Sequence, residues 1–258
     1  MHMLVAALTG LLLAAVPVVE AAPAGSALGV DPAADAARDG GTRTLVVGSD
    51  IFIGDLVRTG PHGQVQILFA DDTELVVGPS SALTIEDYLL RNDGSAGKLA
   101  VDMLSGAFRF ATGNSAKNRY EIGTPTGTIG VRGTEFDVIV EGKGETRILL
   151  YEGAVRFCTH DGDCKELSNF CELGQISAAE TRLVGDTREI TGPARRALQS
   201  EFIYAMNQSP LLRQFWFTQA RDCLNRQPRQ PDAPLFPDDQ PPTPQPVPPP
   251  PDPCRFKC

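Results

Sequence analysis

Apolar and polar residues alternate through the middle of this chain. VQILFADDTELVV carries apolar positions on either side of ADDT, a composition that predicts two strands joined by a tight turn. GKLAVDMLSGAFRFATG, EFDVIVEGKGETRILLYEGAVRF and ELGQISAAETRLV repeat the pattern, with β-branched and aromatic residues at period two broken by Gly, Asp or Asn. Strand and turn recur about every ten residues, the spacing of a sandwich or barrel. The reading is an all-β core of short antiparallel strands over residues 44–190.

The flanking segments lack this period. Residues 1–21 hold an apolar run from Leu4 to Val19 and a small residue at Ala21, the layout of a secretory signal peptide. Residues 22–43 are rich in Ala, Gly and Asp and read as a flexible leader. From Pro193 the apolar spacing changes to four. Leu198, Phe202 and Met206 form one stripe, and Leu212, Trp216, Ala220 and Cys223 form a second behind Ser209–Pro210. Two short α-helices over 193–227 are expected. The successive aromatics Phe215, Trp216 and Phe217 cannot all face one core, which makes them a candidate partner surface. In residues 228–258 proline dominates, and the expected form is an extended disordered tail ending in Cys254 and Cys258.

Net charge of −9 argues against nucleic acid as a partner. The six cysteines, Cys158, Cys164, Cys171, Cys223, Cys254 and Cys258, form an even set suited to an exported, oxidising location. Cys158 and Cys164 flank the turn THDGD, so a local disulfide is expected there. Cys171 with Cys223 would tie the helices to the β domain, and Cys254 with Cys258 would close the tail.

Chemistry is sparse. TPTGTIGVRGTEF spaces three glycines evenly, but no Lys follows and the next residues alternate as a strand, so a phosphate loop is excluded. Glycine in such a strand marks a bulge or close backbone approach. Phe136, Val138 and Val140 share one face. Arg132 and Thr134 fall on the same side unless a bulge at Gly133 shifts the register. Arg132 is then expected to pair with Glu135, both serving architecture. His62 and His160 lie in turns. Cys158, His160, Cys164 and Cys171 are too irregular for zinc. Asp71–Asp72 and Asp161–Gly162–Asp163 read as solvated turn acids rather than calcium ligands. No cofactor, metal or catalytic residue is assigned.

The same residues carry a resemblance. Thr124–Pro125–Thr126, followed by Ile129–Gly130–Val131–Arg132–Gly133–Thr134–Glu135–Phe136, resembles the signature of the FecR domain. So do Gly54–Asp55–Leu56–Val57, Ala70–Asp71–Asp72–Thr73–Glu74–Leu75, Gly106–Ala107–Phe108 and Tyr151–Glu152–Gly153–Ala154–Val155, in order over roughly residues 45–157. The resemblance implies an extracytoplasmic, all-β, non-enzymatic domain. The family's namesake relays a signal from an outer-membrane receptor to a sigma factor. Here no cytoplasmic segment followed by a transmembrane helix is read, so that relay is not expected to transfer. The function expected is a periplasmic or secreted, non-catalytic binding or scaffold protein that engages an envelope protein or polysaccharide. The alternatives are a polysaccharide hydrolase with two poised carboxylates and a disulfide-linked assembly protein.

Overall fold

A computed structural model describes residues 22–90, 96–114, 119–141 and 144–225. The expected signal peptide, proline-rich tail and Cys254–Cys258 pairing fall outside the described residues. The architecture is all-β with short helices at the C-terminal end. The strands are β1 (Gly25–Asp31), β2 (Ala34–Arg38), β3 (Gly41–Leu45), β4 (Asp50–Ile51), β5 (Leu56–Thr59), β6 (Gln64–Phe69), β7 (Glu74–Val77), β8 (Ala82–Leu90), β9 (Ala96–Ala111), β10 (Tyr120–Thr124), β11 (Gly127–Val140), β12 (Thr146–Thr159), β13 (Cys164–Leu167), β14 (Glu172–Ile176) and β15 (Thr181–Asp186). All join one hydrogen-bonded sheet whose main path runs β15-β14-β12-β11-β10-β9-β7-β6-β1-β4. The inner faces enclose one core, with Phe69, Phe108, Phe110, Phe136 and Phe157 among its largest side chains. The expected β6–β7 hairpin is present, with Val65 opposite Val77 and Leu68 opposite Glu74.

Residues 22–43 are not a flexible leader. β1 pairs antiparallel with both β4 and β6, and β2 pairs with β3 and β5. Ala24, Ala27, Ala34 and Ala36 are buried in the core. Their small side chains give little hydrophobic amplitude, so the period-two signal is weak, yet small residues suit strands pressed close to neighbours. The β2–β3 turn, Asp39–Gly40, has φ of 52° and 78°. That is a two-residue turn of the type that favours Asp-Gly, a hairpin signal lying in plain view in RDGG.

Beyond the core, the outer face of β9, β11 and β12 carries Arg109, Asp137, Ile139, Leu149 and Tyr151, all buried. What buries them is the chain after Ile190. Helix α1 (Gly192–Glu201) carries Pro193 in its first turn, where proline is tolerated. Phe202 breaks the pattern, and α2 (Ile203–Met206) follows. The second expected helix does not start at Ser209–Pro210. Residues 213–215 form a single 3-10 turn, and α3 (Ala220–Leu224) begins only at Ala220. Leu198, Phe202, Ala205, Phe217, Ala220 and Cys223 pack on Ile139, Leu149, Tyr151 and Leu173. The expected disulfides Cys158–Cys164 and Cys171–Cys223 are both formed. The second closes a loop of 52 residues and pins α3 beside β14, a constraint on the order of 4 kcal/mol in the chain-entropy account.

Between sheet and helices sits a buried ion pair. Arg109 is 1% exposed and Asp137 2%. Arg109 Nε donates to Asp137 Oδ1 at 2.7 Å and Nη2 to Oδ2 at 2.9 Å, a bidentate geometry. The Tyr151 hydroxyl donates to Asp137 Oδ2 at 2.7 Å, and Arg109 Nη1 donates to Gln208 Oε1. Gln208 in turn accepts from the Phe217 amide at 2.8 Å and donates to the Phe217 carbonyl at 3.0 Å. The Phe217 ring lies 4.3 Å from the guanidinium carbon. Both charges are therefore paired, and the pairing reaches from β9 and β11 into the C-terminal segment.

Two outcomes are expected. A chain beginning at Thr44 loses the strands that flank β6 and β5, and it should show no cooperative urea transition where the chain beginning at Ala22 does. Arg109→Met or Asp137→Leu alone should cost about 3–5 kcal/mol, because each leaves one buried charge without its partner. The double variant Arg109→Met/Asp137→Leu should recover most of that loss in the urea midpoint. Additive losses in the double variant would show that the pair does not act as a unit.

Candidate functional site

Strand β11 changes sides halfway along. Thr128, Gly130 and Arg132 are exposed while Ile129 and Val131 are buried; further on, Phe136, Val138 and Val140 face the core. The switch is a bulge. Arg132 pairs with Ala154 and Glu135 with Glu152, so two residues on β11 oppose Gly153 alone on β12. Gly133 and Gly153 take φ of 60° and 81°, and a side chain at Gly153 would collide with the Gly133 carbonyl. The two glycines of the motif thus carry the architectural role. Arg132 lies on the outside, as a shifted register requires. It makes no ion pair with Glu135, because the bulge separates them and Glu135 sits among other carboxylates. The arginine buried against this sheet is Arg109, a lone charge between Phe108 and Phe110 that the alternation displays without explaining.

The remaining motif residues divide between support and surface. Thr124 is buried and donates to the Gly127 carbonyl at 3.0 Å; the Thr126 and Thr146 hydroxyls meet at 3.1 Å. Phe136 is in the core. Pro125 and Gly130 are exposed. Asp71 is no solvated turn acid: it is buried, accepting from the Thr73 hydroxyl at 2.9 Å and the Tyr120 hydroxyl at 2.9 Å, since the turn folds back under β10. Asp72, Asp161 and Asp163 are all exposed, and Asp163 also accepts from the Thr181 amide and hydroxyl, bonds that lower its pKa. Cys158, Cys164 and Cys171 are all committed to disulfides, and among the described residues no group of three or more His, Cys, Asp or Glu is placed to hold a metal.

The three successive aromatics do not share one exposed surface. Phe215 and Phe217 are 1% and 2% exposed. Phe215 packs with Val76, Tyr204 and Leu211, while Phe217 packs beside Tyr151 in a separate cluster. The backbone leaves its 3-10 turn at Trp216 and becomes extended, so successive rings enter different clusters. Trp216 is half-buried, with Arg213 at 4.2 Å over its ring and its indole donating to the Leu211 carbonyl.

The face left open is the one ahead of the bulge. Over β8, β9 and β10 it is concave, a groove of about 560 Å³ bordered by Glu86, Lys98, Asp102, Glu121, Pro125 and His160. Lys98 pairs with Asp87 at 3.4 Å and approaches Glu121 at 4.0 Å. Asp102 lies across Gly123, where a side chain would collide with its carboxylate. Next to the groove, over β11 and β12, a smaller hollow of about 280 Å³ has Gly130 and Ala154 in its lining, with Arg132 and Arg156 beside them.

A row of carboxylates marks the other side of the bulge. Glu74 and Glu135 both oppose Ala111 on β9 from opposite sides, and Glu152 faces Glu135 across β12. Burial, together with the Glu135 and Asp72 carboxylates, pushes Glu74 up to about 7. Burial and Glu152 push Glu135 up as well, against the pull of Arg109. These three border neither concavity.

Comparison with known proteins bears on the motif region. Residues 55–156 match the FecR protein family, so the chain carries a FecR-type domain over that segment. Two solved structures of a proposed anti-sigma factor from Parabacteroides distasonis are similar at 12% identity, with TM-scores of 0.42 and 0.40. The match spans 50% of this chain and 59% of that one, and at this level it carries no argument about activity. No curated protein matches the chain.

The raised Glu74 sets a pH dependence. Its folded value lies above the ordinary 4.5, so the folded state binds more protons between these values and stability falls as pH rises through that window. The melting temperature should therefore drop between pH 5 and about pH 8, and Glu74→Gln should flatten that slope. An unchanged slope in the variant would place the titrating group elsewhere.

Proposed function

We propose that this chain is a non-catalytic, extracytoplasmic FecR-type binding protein, and that it engages a partner protein of the cell envelope through the open face of β10 and β11. The observation that carries this reading is the division of β11. The FecR-type signature buries half of its strand under the C-terminal helices and leaves Thr128, Gly130 and Arg132 on a solvent-facing sheet. A sheet face held rigid by a core behind it and a brace beside it binds without reorganising, which lowers the entropic cost of association. The two disulfides support export, since such bonds persist in oxidising compartments. Among the described residues no helix is long and apolar enough to cross a membrane.

A hydrolase would need two carboxylates held across a concave face. Glu135 and Glu152 are neighbours across paired strands but border neither concavity, and the groove's own carboxylates, Glu86, Asp102 and Glu121, include no buried acid that would be held protonated as a proton donor. The disulfide-linked assembly rests on Cys254 and Cys258, and no described residue adds to it.

The test is cross-linking of the tagged full-length protein in its native cells, followed by identification of what it captures. One reproducible envelope protein is the expected result. Capture of polysaccharide alone, or release of new reducing ends when the purified protein is incubated with cell-wall glycan, would overturn the reading.

A further inference from the structure

The open face carries charge of both signs, separated by one strand. On one side the groove holds Glu86, Asp102 and Glu121 against a single cation, Lys98, which is already shared between Asp87 and Glu121. No ion pair forms at Glu86 or Asp102 among the described residues. On the other side the hollow is flanked by Arg132 and Arg156. Neither forms an ion pair among the described residues, although Glu166 stands opposite Arg156 in the β12–β13 register. Arg119 adds to this side. It lies two residues before Glu121, and the β10–β11 register carries it level with Arg132. Its Nε is buried without a hydrogen-bond partner.

Gly130 is what brings the two sides together. It pairs with Glu121 on one flank and Arg156 on the other. A side chain there would meet nothing closer than the Arg156 carbonyl at 3.8 Å, so the space above it is open. The floor between the acidic groove and the basic hollow is therefore backbone, and a ligand can lie flat across both.

We propose that this face is a bipolar docking surface whose occupant is an extended segment of the partner protein, with a carboxylate side chain seated between Arg132 and Arg156 and a basic side chain seated in the groove at Asp102 and Glu121. This rests on the protein-binding reading above. Charge complementarity selects the occupant. An acidic polysaccharide carries one sign along its length, so whatever it gained at the arginines it would lose against the three groove carboxylates. The lining also presents no free aromatic face for a sugar ring, because Tyr120 is buried with its hydroxyl bonded to Asp71. The two centres lie about two strand spacings apart, roughly 10 Å, which an extended chain crosses in about three residues.

A photoreactive residue at Thr128, on the border of the groove two residues from Gly130, tests this in the full-length protein in its native cells, with the same residue at exposed Leu183 on β15 as reference. The expected result is capture at Thr128 of a protein whose cross-linked peptide carries an acidic and a basic residue about three positions apart. Arg132→Glu/Arg156→Glu should cut the yield by about tenfold or more, and Asp102→Asn/Glu121→Gln should weaken it too. Both pairs alter exposed or half-buried side chains, and an unchanged melting temperature certifies the fold. Capture at Leu183 but not at Thr128 would overturn the docking surface and leave the binding function standing. Yields untouched by either pair of substitutions, or a cross-linked segment bearing one sign of charge, would do the same. Polysaccharide captured at Thr128, or no capture at either position, would overturn both readings.

Discussion

The buried pair of Arg109 and Asp137 constrains everything built on the outer side of this sheet. Neither charge tolerates burial alone, so the side chains that meet them have to arrive with matching geometry. Tyr151 completes Asp137 from β12, and Gln208 completes Arg109 from the C-terminal segment. A hydrophobic patch would accept a helix in several registers; a bidentate pair with fixed acceptors accepts one. Gln208 then holds Phe217 by both its amide and carbonyl, which places the ring over the guanidinium. Cys171–Cys223 and Thr187, whose amide donates to the Cys171 carbonyl and whose hydroxyl donates to the Cys223 carbonyl, secure the far end of the same segment.

That covering ends at the bulge. A strand of 14 residues without one would present a single parity of side chains to the core. Inserting Gly133 switches the parity, so one strand pairs β10 ahead of the bulge and β9 beyond it while keeping its apolar residues inward on both sides. The FecR match spans this junction. The glycines at 133 and 153 are therefore read as conditions of backbone shape, while Gly130, which has ordinary extended geometry, matters for the side chain it lacks.

The acids of this protein do several different things despite one net charge. Asp55 and Asp71 are buried and bonded within the fold, Asp137 is an ion-pair partner, and Glu74 is pushed toward its neutral form. Those in the groove stay exposed or half-buried with few partners. This last group faces solvent on a concave surface, and it neighbours Arg132 and Arg156, which form no ion pair among the described residues.

Much of this was written into the sequence. Period-two alternation is a property of the strand itself, so VQILFADDTELVV and EFDVIVEG declared their elements and inner faces without help. The turn between Cys158 and Cys164 likewise made its disulfide a local matter. Where small residues replaced large ones the signal faded, and β1 to β3 were read as a leader although Asp39–Gly40 announced a hairpin. The tertiary structure alone decided what met across distance. Arg109 and Gln208 stand 99 residues apart, and no spacing rule joins them. The fate of Phe215 and Phe217 depended on which faces of the sheet needed cover. The sign pattern of the open face arose because register placed Glu121, Gly130 and Arg156 side by side, and register is a relation between strands that no single strand contains.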